Sequence, residues 1–82
     1  MVKVQLVYTK NCVYCPSAKQ LWKELQNQYN FDYEEVDATT PKGQELVMKF
    51  SIMAVPTTIV DNKVEFIGLP SREKIIEKLS KK

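Results

Sequence analysis

Two cysteines stand three positions apart in Cys12-Val13-Tyr14-Cys15-Pro16, and the chain of 82 residues contains no others. An alternating apolar run, Val2-Lys3-Val4-Gln5-Leu6-Val7-Tyr8, leads into them. Ala18, Leu21, Trp22, Leu25 and Tyr29 follow at helical spacing. Period-two alternation with β-branched residues predicts a strand, and the three-to-four spacing predicts an amphipathic helix. The thiols therefore fall where a strand ends in the polar loop Thr9-Lys10-Asn11 and a helix begins. Pro16 suits the first turn, where a missing N–H costs little. Helix starts present unpaired N–H groups and the positive end of the peptide dipoles, both of which favour a thiolate. This placement points to thiol–disulfide exchange.

Composition narrows the alternatives. Apolar residues make up 44% of the chain, enough for one packed core, and a single domain over residues 1–82 is expected. Net charge is +2, from 12 basic and 10 acidic residues. So small a bias gives no reason to expect nucleic acid or an anionic membrane as partner. The lysines are scattered apart from the Lys81-Lys82 tail and read as a solvated surface. No apolar run approaches the roughly 18 residues that span a bilayer. The start reads as a strand with no secretory leader, so a cytoplasmic location is expected. In that compartment two nearby cysteines are more often catalytic or metal-binding than a permanent staple. Histidine is absent, which removes the usual general base and the commonest zinc ligand together.

Along the chain, the first helix is predicted to run to about Tyr29, with Asn30 ending it. Phe31 to Val36 reads as a second strand, and a strand–helix–strand unit this short makes the first two strands parallel. Thr40 is a natural N-cap and Pro41 a natural first residue of a second helix carrying Leu46, Val47 and Phe50 inward and ending near Ser51. Thr57 to Val60 and Val64 to Ile67, joined at Asp61-Asn62, read as an antiparallel hairpin. Gly68 and Pro70 break it. Ser71 caps a last helix from Arg72 to Leu79, with Ile75, Ile76 and Leu79 buried. The order β-α-β-α-β-β-α is one α/β layer structure.

A dithiol site needs two unlike thiols. Cys12, nearer the loop, is expected to be exposed and to attack; Cys15, one turn on, is expected to be buried and to resolve the mixed disulfide. Lys10 is either an added positive charge beside Cys12 or an ordinary loop lysine. Val13 and Tyr14 stand between the thiols, and Tyr14 is a candidate wall for a client. Val55-Pro56 is the second candidate. A cis bond there leaves the Val55 backbone to pair with an extended client segment. The residues alone favour trans, since cis is found at about 5–6% of X–Pro bonds.

Three blocks, Cys12-Val13-Tyr14-Cys15-Pro16-Ser17-Ala18-Lys19, then Ile52-Met53-Ala54-Val55-Pro56-Thr57, then Val64-Glu65-Phe66-Ile67-Gly68, resemble the thioredoxin/glutaredoxin superfamily. Within it they most resemble its small archaeal glutaredoxin-like members, over essentially the whole chain. The resemblance implies a thioredoxin fold, βαβαββα: a four-stranded mixed sheet in order 2-1-3-4 flanked by three helices. It implies a cis peptide before Pro56, a nucleophilic Cys12, a resolving Cys15 and a protein disulfide oxidoreductase without cofactor or metal. Its partners would be disulfide-containing client proteins and an upstream reductase of thioredoxin-reductase type, or less favourably glutathione, acting on a monomer.

Departures accompany the likeness. Larger thioredoxins place a Trp before the first cysteine, where this chain has Asn11, and a buried Asp six residues before it, where this chain has Leu6. Glutathione-using relatives carry Gly-Gly and an acid after the last strand; here the segment is Gly68-Leu69-Pro70-Ser71-Arg72, with Glu73 beyond. Two other readings stay open: a dimer sharing four thiolates around zinc or an iron–sulfur cluster, and a structural disulfide, whose short loop would stabilise little.

Overall fold

The computed structural model describes residues 2–80; Met1 and the Lys81-Lys82 tail lie outside the described residues. Strand β1 (Val2–Tyr8) is the axis on which the other elements are placed. It pairs in parallel with β2 (Phe31–Asp37), Val2 opposite Phe31 and Tyr8 opposite Asp37. On its other side it pairs antiparallel with β3 (Thr57–Val60), which turns through Asp61-Asn62 into β4 (Lys63–Ile67). The sheet order is β2-β1-β3-β4. Helices α1 (Cys15–Gln26), α2 (Pro41–Phe50) and α3 (Arg72–Ser80) complete the thioredoxin fold.

Both faces of β1 are covered: Val4 and Leu6 on one side and Gln5 and Val7 on the other are all buried. A central strand between two helical layers leaves neither side to water. Val4 and Leu6 pack with Ala18, Trp22 and Leu25 of α1, and with Ile75 of α3. Trp22 is the hub of this layer. Its ring meets Phe31 edge-on at 5.7 Å and stacks on Tyr33 at 6.4 Å. Its indole N–H donates to Thr58 Oγ1 at 3.3 Å. Each large apolar side chain buried here stabilises the fold by roughly 1.5–3 kcal/mol.

Helix α1 ends at Gln26, short of the expected Tyr29. Its exit tightens: the amides of Asn27 and Gln28 bond back three residues, to Glu24 and Leu25, and Tyr29 bonds to Leu25. Such a tightened exit is common at helix ends, and Tyr29 still packs on the core from it.

Helix α2 starts as expected, Thr40 Oγ1 accepting from the Gly43 amide at 3.1 Å. Its Leu46, Val47 and Phe50 are only half-buried, however, and Gly43 is the buried residue. A Cβ at Gly43 would collide with the Asp37 carbonyl oxygen and Ala38 Cα, so α2 approaches the end of β2 backbone to backbone. On this side buried Gln5 donates to Glu34 Oε1 at 3.1 Å, and Lys42 pairs with the other carboxylate oxygen. Asp61 and Asn62 both take positive φ, 49° and 65°, as a two-residue hairpin turn requires.

Candidate active site

Antiparallel pairing of β1 with β3 sets the carboxyl end of β1 beside the amino end of β3, with Val7 opposite Thr57. The cysteine loop leaves the first of these ends, and Val55-Pro56 enters the second. The end of β4 joins them, the Gly68 amide donating to the Pro56 carbonyl oxygen at 2.7 Å. The end of β2 does likewise, through Ala38 N–H to Tyr8 oxygen at 2.8 Å. Sequence-distant candidates thus converge on one end of the sheet.

Cys12 and Cys15 are joined in a disulfide with their Cα atoms 5.3 Å apart. Cys15 is the first residue of α1 and is 1% exposed, whereas Cys12, in the loop, is partly exposed. The first turn, Cys15-Pro16-Ser17-Ala18, holds no acidic residue, and the N-cap Tyr14 supplies no side-chain acceptor. The positive end of α1 is therefore not neutralised by its own side chains and bears on the cysteines. Val13 and Tyr14 project outward, 82% and 60% exposed.

The Val55–Pro56 bond is cis, as the resemblance implied and against the trans form that the residues alone favoured. Pro56 is buried and Val55 half-buried. Thr57 Oγ1 donates to the Ala54 carbonyl oxygen at 2.6 Å and ties the turn to the strand it opens. Beside this turn lies an apolar groove of about 160 Å³, walled by Phe50, Ile52, Met53, Ala54, Val64 and Ile67. Met53 is almost wholly, and Ile67 mostly, solvent-facing at its rim. Neither helical nor strand periodicity takes in Ile52 and Met53, so the sequence carries no expectation of this groove. The available signal was an apolar pair in a loop, ahead of a proline, with no partner in either helical or strand periodicity.

Lys10 is exposed, and its charge acts on Asp37 at the end of β2. The Thr39 hydroxyl and amide donate to the Asp37 carboxylate at 2.7 and 2.8 Å and hold it below the usual range, with Lys10 and Lys19 adding to the effect. Tyr33 is pushed well up by burial and by its hydrogen bond to Glu35. Among the described residues no cluster of three or more His, Cys, Asp or Glu is placed to hold a metal ion.

Residues 2–80 match the family model described as a thioredoxin domain. The chain belongs to the thioredoxin family. It is 33% identical to a thioredoxin of Methanocaldococcus jannaschii over 81 residues, covering 99% of this chain and 95% of that one. It is 29% identical to a probable thioredoxin of Methanothermobacter marburgensis, covering 98% and 94%. Among solved structures it superposes on thioredoxin-2 of the malaria parasite with a TM-score of 0.85 at 25% identity, over all of this chain and 84% of that one. A mutant thioredoxin of Halobacterium salinarum shares the fold, with a TM-score of 0.81 at 18% identity over 98% and 73%.

With the thioredoxin fold and its paired cysteines in place, this chain is a dithiol–disulfide oxidoreductase. Within the family pattern the departure at Leu6 is a structural fact: the side chain is fully buried beneath α1, so an apolar residue fills the position of the acid. The buried polar residues described, Gln5, Thr57 and Thr58, do not titrate.

Proposed function

We propose that this protein reduces disulfides in client proteins, with Cys12 as nucleophile and Cys15 as resolving thiol. The unequal exposure of the two bonded cysteines carries this reading. In the reduced state the Cys12 thiolate attacks a client disulfide sulfur, the client S–S bond breaks, and one client thiolate leaves. Cys15 then gives up its proton and attacks Cys12 Sγ, closing the Cys12–Cys15 disulfide and releasing the second client sulfur as a thiolate. Two electrons pass from the dithiol to the client, and the leaving thiolates take up protons. Leu6 provides no internal base, so the Cys15 proton passes to solvent or to a departing sulfur.

Val13, Tyr14, Val55, Pro56 and the apolar groove beyond them form the client surface. An extended client segment would pair with the Val55 backbone and set an apolar side chain against Met53 and Ile67. Lys10, in the loop before Cys12, would extend this surface with a positive charge.

For the electron donor we favour a dithiol reductase of thioredoxin-reductase type over glutathione. Ser71 Oγ already accepts from the Lys74 amide at 3.2 Å, and Arg72 is paired with Glu24 at 3.3 Å. The segment after β4, where glutathione-using relatives carry their glycines and acid, is thus engaged with its own helix and with α1. Membrane-spanning helices are absent among the described residues. We place the protein in the cytoplasm as a monomeric single-domain carrier. The deciding assay supplies the oxidised protein separately with a thioredoxin-reductase system and with glutathione, and follows insulin reduction. Turnover with the reductase alone supports the reading; turnover with glutathione alone overturns the choice of donor.

A further inference from the structure

Lys19 stands one helical turn beyond Cys15 on α1. Its ammonium lies 3.5 Å from the centroid of the Tyr8 ring. Tyr8 is the last residue of β1, and the loop that follows folds back at once, the Cys12 amide donating to the Thr9 carbonyl oxygen at 3.4 Å. The aromatic face thus holds a half-buried cation at the foot of the cysteine loop, between the strand the loop leaves and the helix Cys15 opens.

The surroundings leave that charge largely unspent. On its own helix Lys19 has Cys15 and Pro16 one turn before it, and Trp22 and Lys23 one turn after. Lys23 is engaged with Glu35 at 3.9 Å. From β2, Tyr33 donates to the same Glu35 at 3.0 Å. The carboxylate facing Lys19 is that of Asp37, which also answers Lys10 and is held by both Thr39 donors. The turn at Val55-Pro56 brings no charge, and Tyr14 in the loop is exposed. Two ammonium groups against one carboxylate leave a net positive charge at the end of β1, where the cysteine loop begins.

We propose that Lys19, clamped on Tyr8, is a positioning residue for the thiol chemistry, its charge favouring the thiolate of Cys12 and the reduced state of the pair. This rests on the assignment of Cys12 as nucleophile. The disulfide is neutral and the thiolate is not, so a nearby cation stabilises the reduced form alone. Removing it raises the proton affinity of Cys12 and makes the pair more strongly reducing.

The test is iodoacetamide alkylation of the reduced full chain against pH, with the modified thiol located by mass spectrometry. Lys19→Met keeps the apolar stem and should raise the alkylation midpoint by on the order of half a pH unit, the scale of one charge at a partly hydrated boundary. That is about a threefold loss of thiolate, with an equal limit on the shift toward oxidation against a reference dithiol. Lys19→Arg should restore the midpoint, Tyr8→Leu should give a smaller rise, and Asp37→Asn should lower it. The Lys19→Met effect should shrink at high salt, which a merely structural defect would not do. Alkylation at Cys12 with an unchanged midpoint in Lys19→Met overturns the proposal alone. Early alkylation at Cys15 overturns the nucleophile assignment instead.

Discussion

Val7 and Thr57 face each other across the antiparallel β1–β3 pair, and that register brings Pro56 alongside the cysteine loop. Some forty residues of chain separate the two features. A shift of one residue in the pairing would reverse which face each β3 side chain meets and move Pro56 along the edge of the site. The Gly68 amide bonded to the Pro56 oxygen brings a third segment to the same place, so the groove at Met53 and Ile67 is a consequence of strand register.

Substituting the thiols separates their roles. Cys12→Ser should abolish insulin disulfide reduction, because no other described thiol is exposed. Cys15→Ser should still attack and then stall, accumulating client mixed disulfides visible on non-reducing gels. Full reduction activity in Cys12→Ser would contradict the assignment.

The groove predicts a binding defect. Ile67→Gln or Met53→Gln exposes a polar amide where an apolar client side chain would sit. The loss of about 1 kcal/mol of burial should raise KM for a protein client about fivefold. Reduction of a small disulfide such as dithionitrobenzoate should be unchanged, and comparison of the two substrates is the measurement.

Gly43 is fixed by packing against the end of β2. Gly43→Ala forces the α2 backbone away from Asp37 and Ala38 and should destabilise the protein by about 1–3 kcal/mol. A urea titration followed by far-ultraviolet circular dichroism checks this, with the slope expected to stay constant.

Glu34 gives a pH signature. Its hydrogen bonds from Lys42 and Gln5 lower its carboxyl below the ordinary 4.5, so the stabilisation is present above that value and lost as pH falls through the lowered folded value. The pair is partly exposed, and Lys42→Met should cost only about 0.5 kcal/mol at pH 7. That deficit should shrink as pH falls through the lowered folded value, and urea titrations at a series of pH values from 7 downward would show it.

Much of this was legible in the residues. Alternation in Val2–Tyr8, the Thr40-Pro41 start and the Asp61-Asn62 turn are local signals, set by side-chain direction, N–H satisfaction and φ preference, and they lie where they were expected. The end of α1 was misread because Tyr29 satisfies the helical spacing while its backbone has already left the helix. The inward face of α2 was misread because a buried glycine carries no hydrophobic signal.

Sequence alone determined the paired thiols at a strand-to-helix junction, the order of elements and the kind of chemistry, since each depends on neighbours within a turn or two. Tertiary structure decided how unequal the two thiols are, that both faces of β1 are covered, and that the Pro56 turn, the Met53–Ile67 groove and Lys19 on Tyr8 gather at one end of the sheet. Those depend on strand register and on which helix covers which face. No local stretch encodes them, because the contacting residues meet only when the layers close.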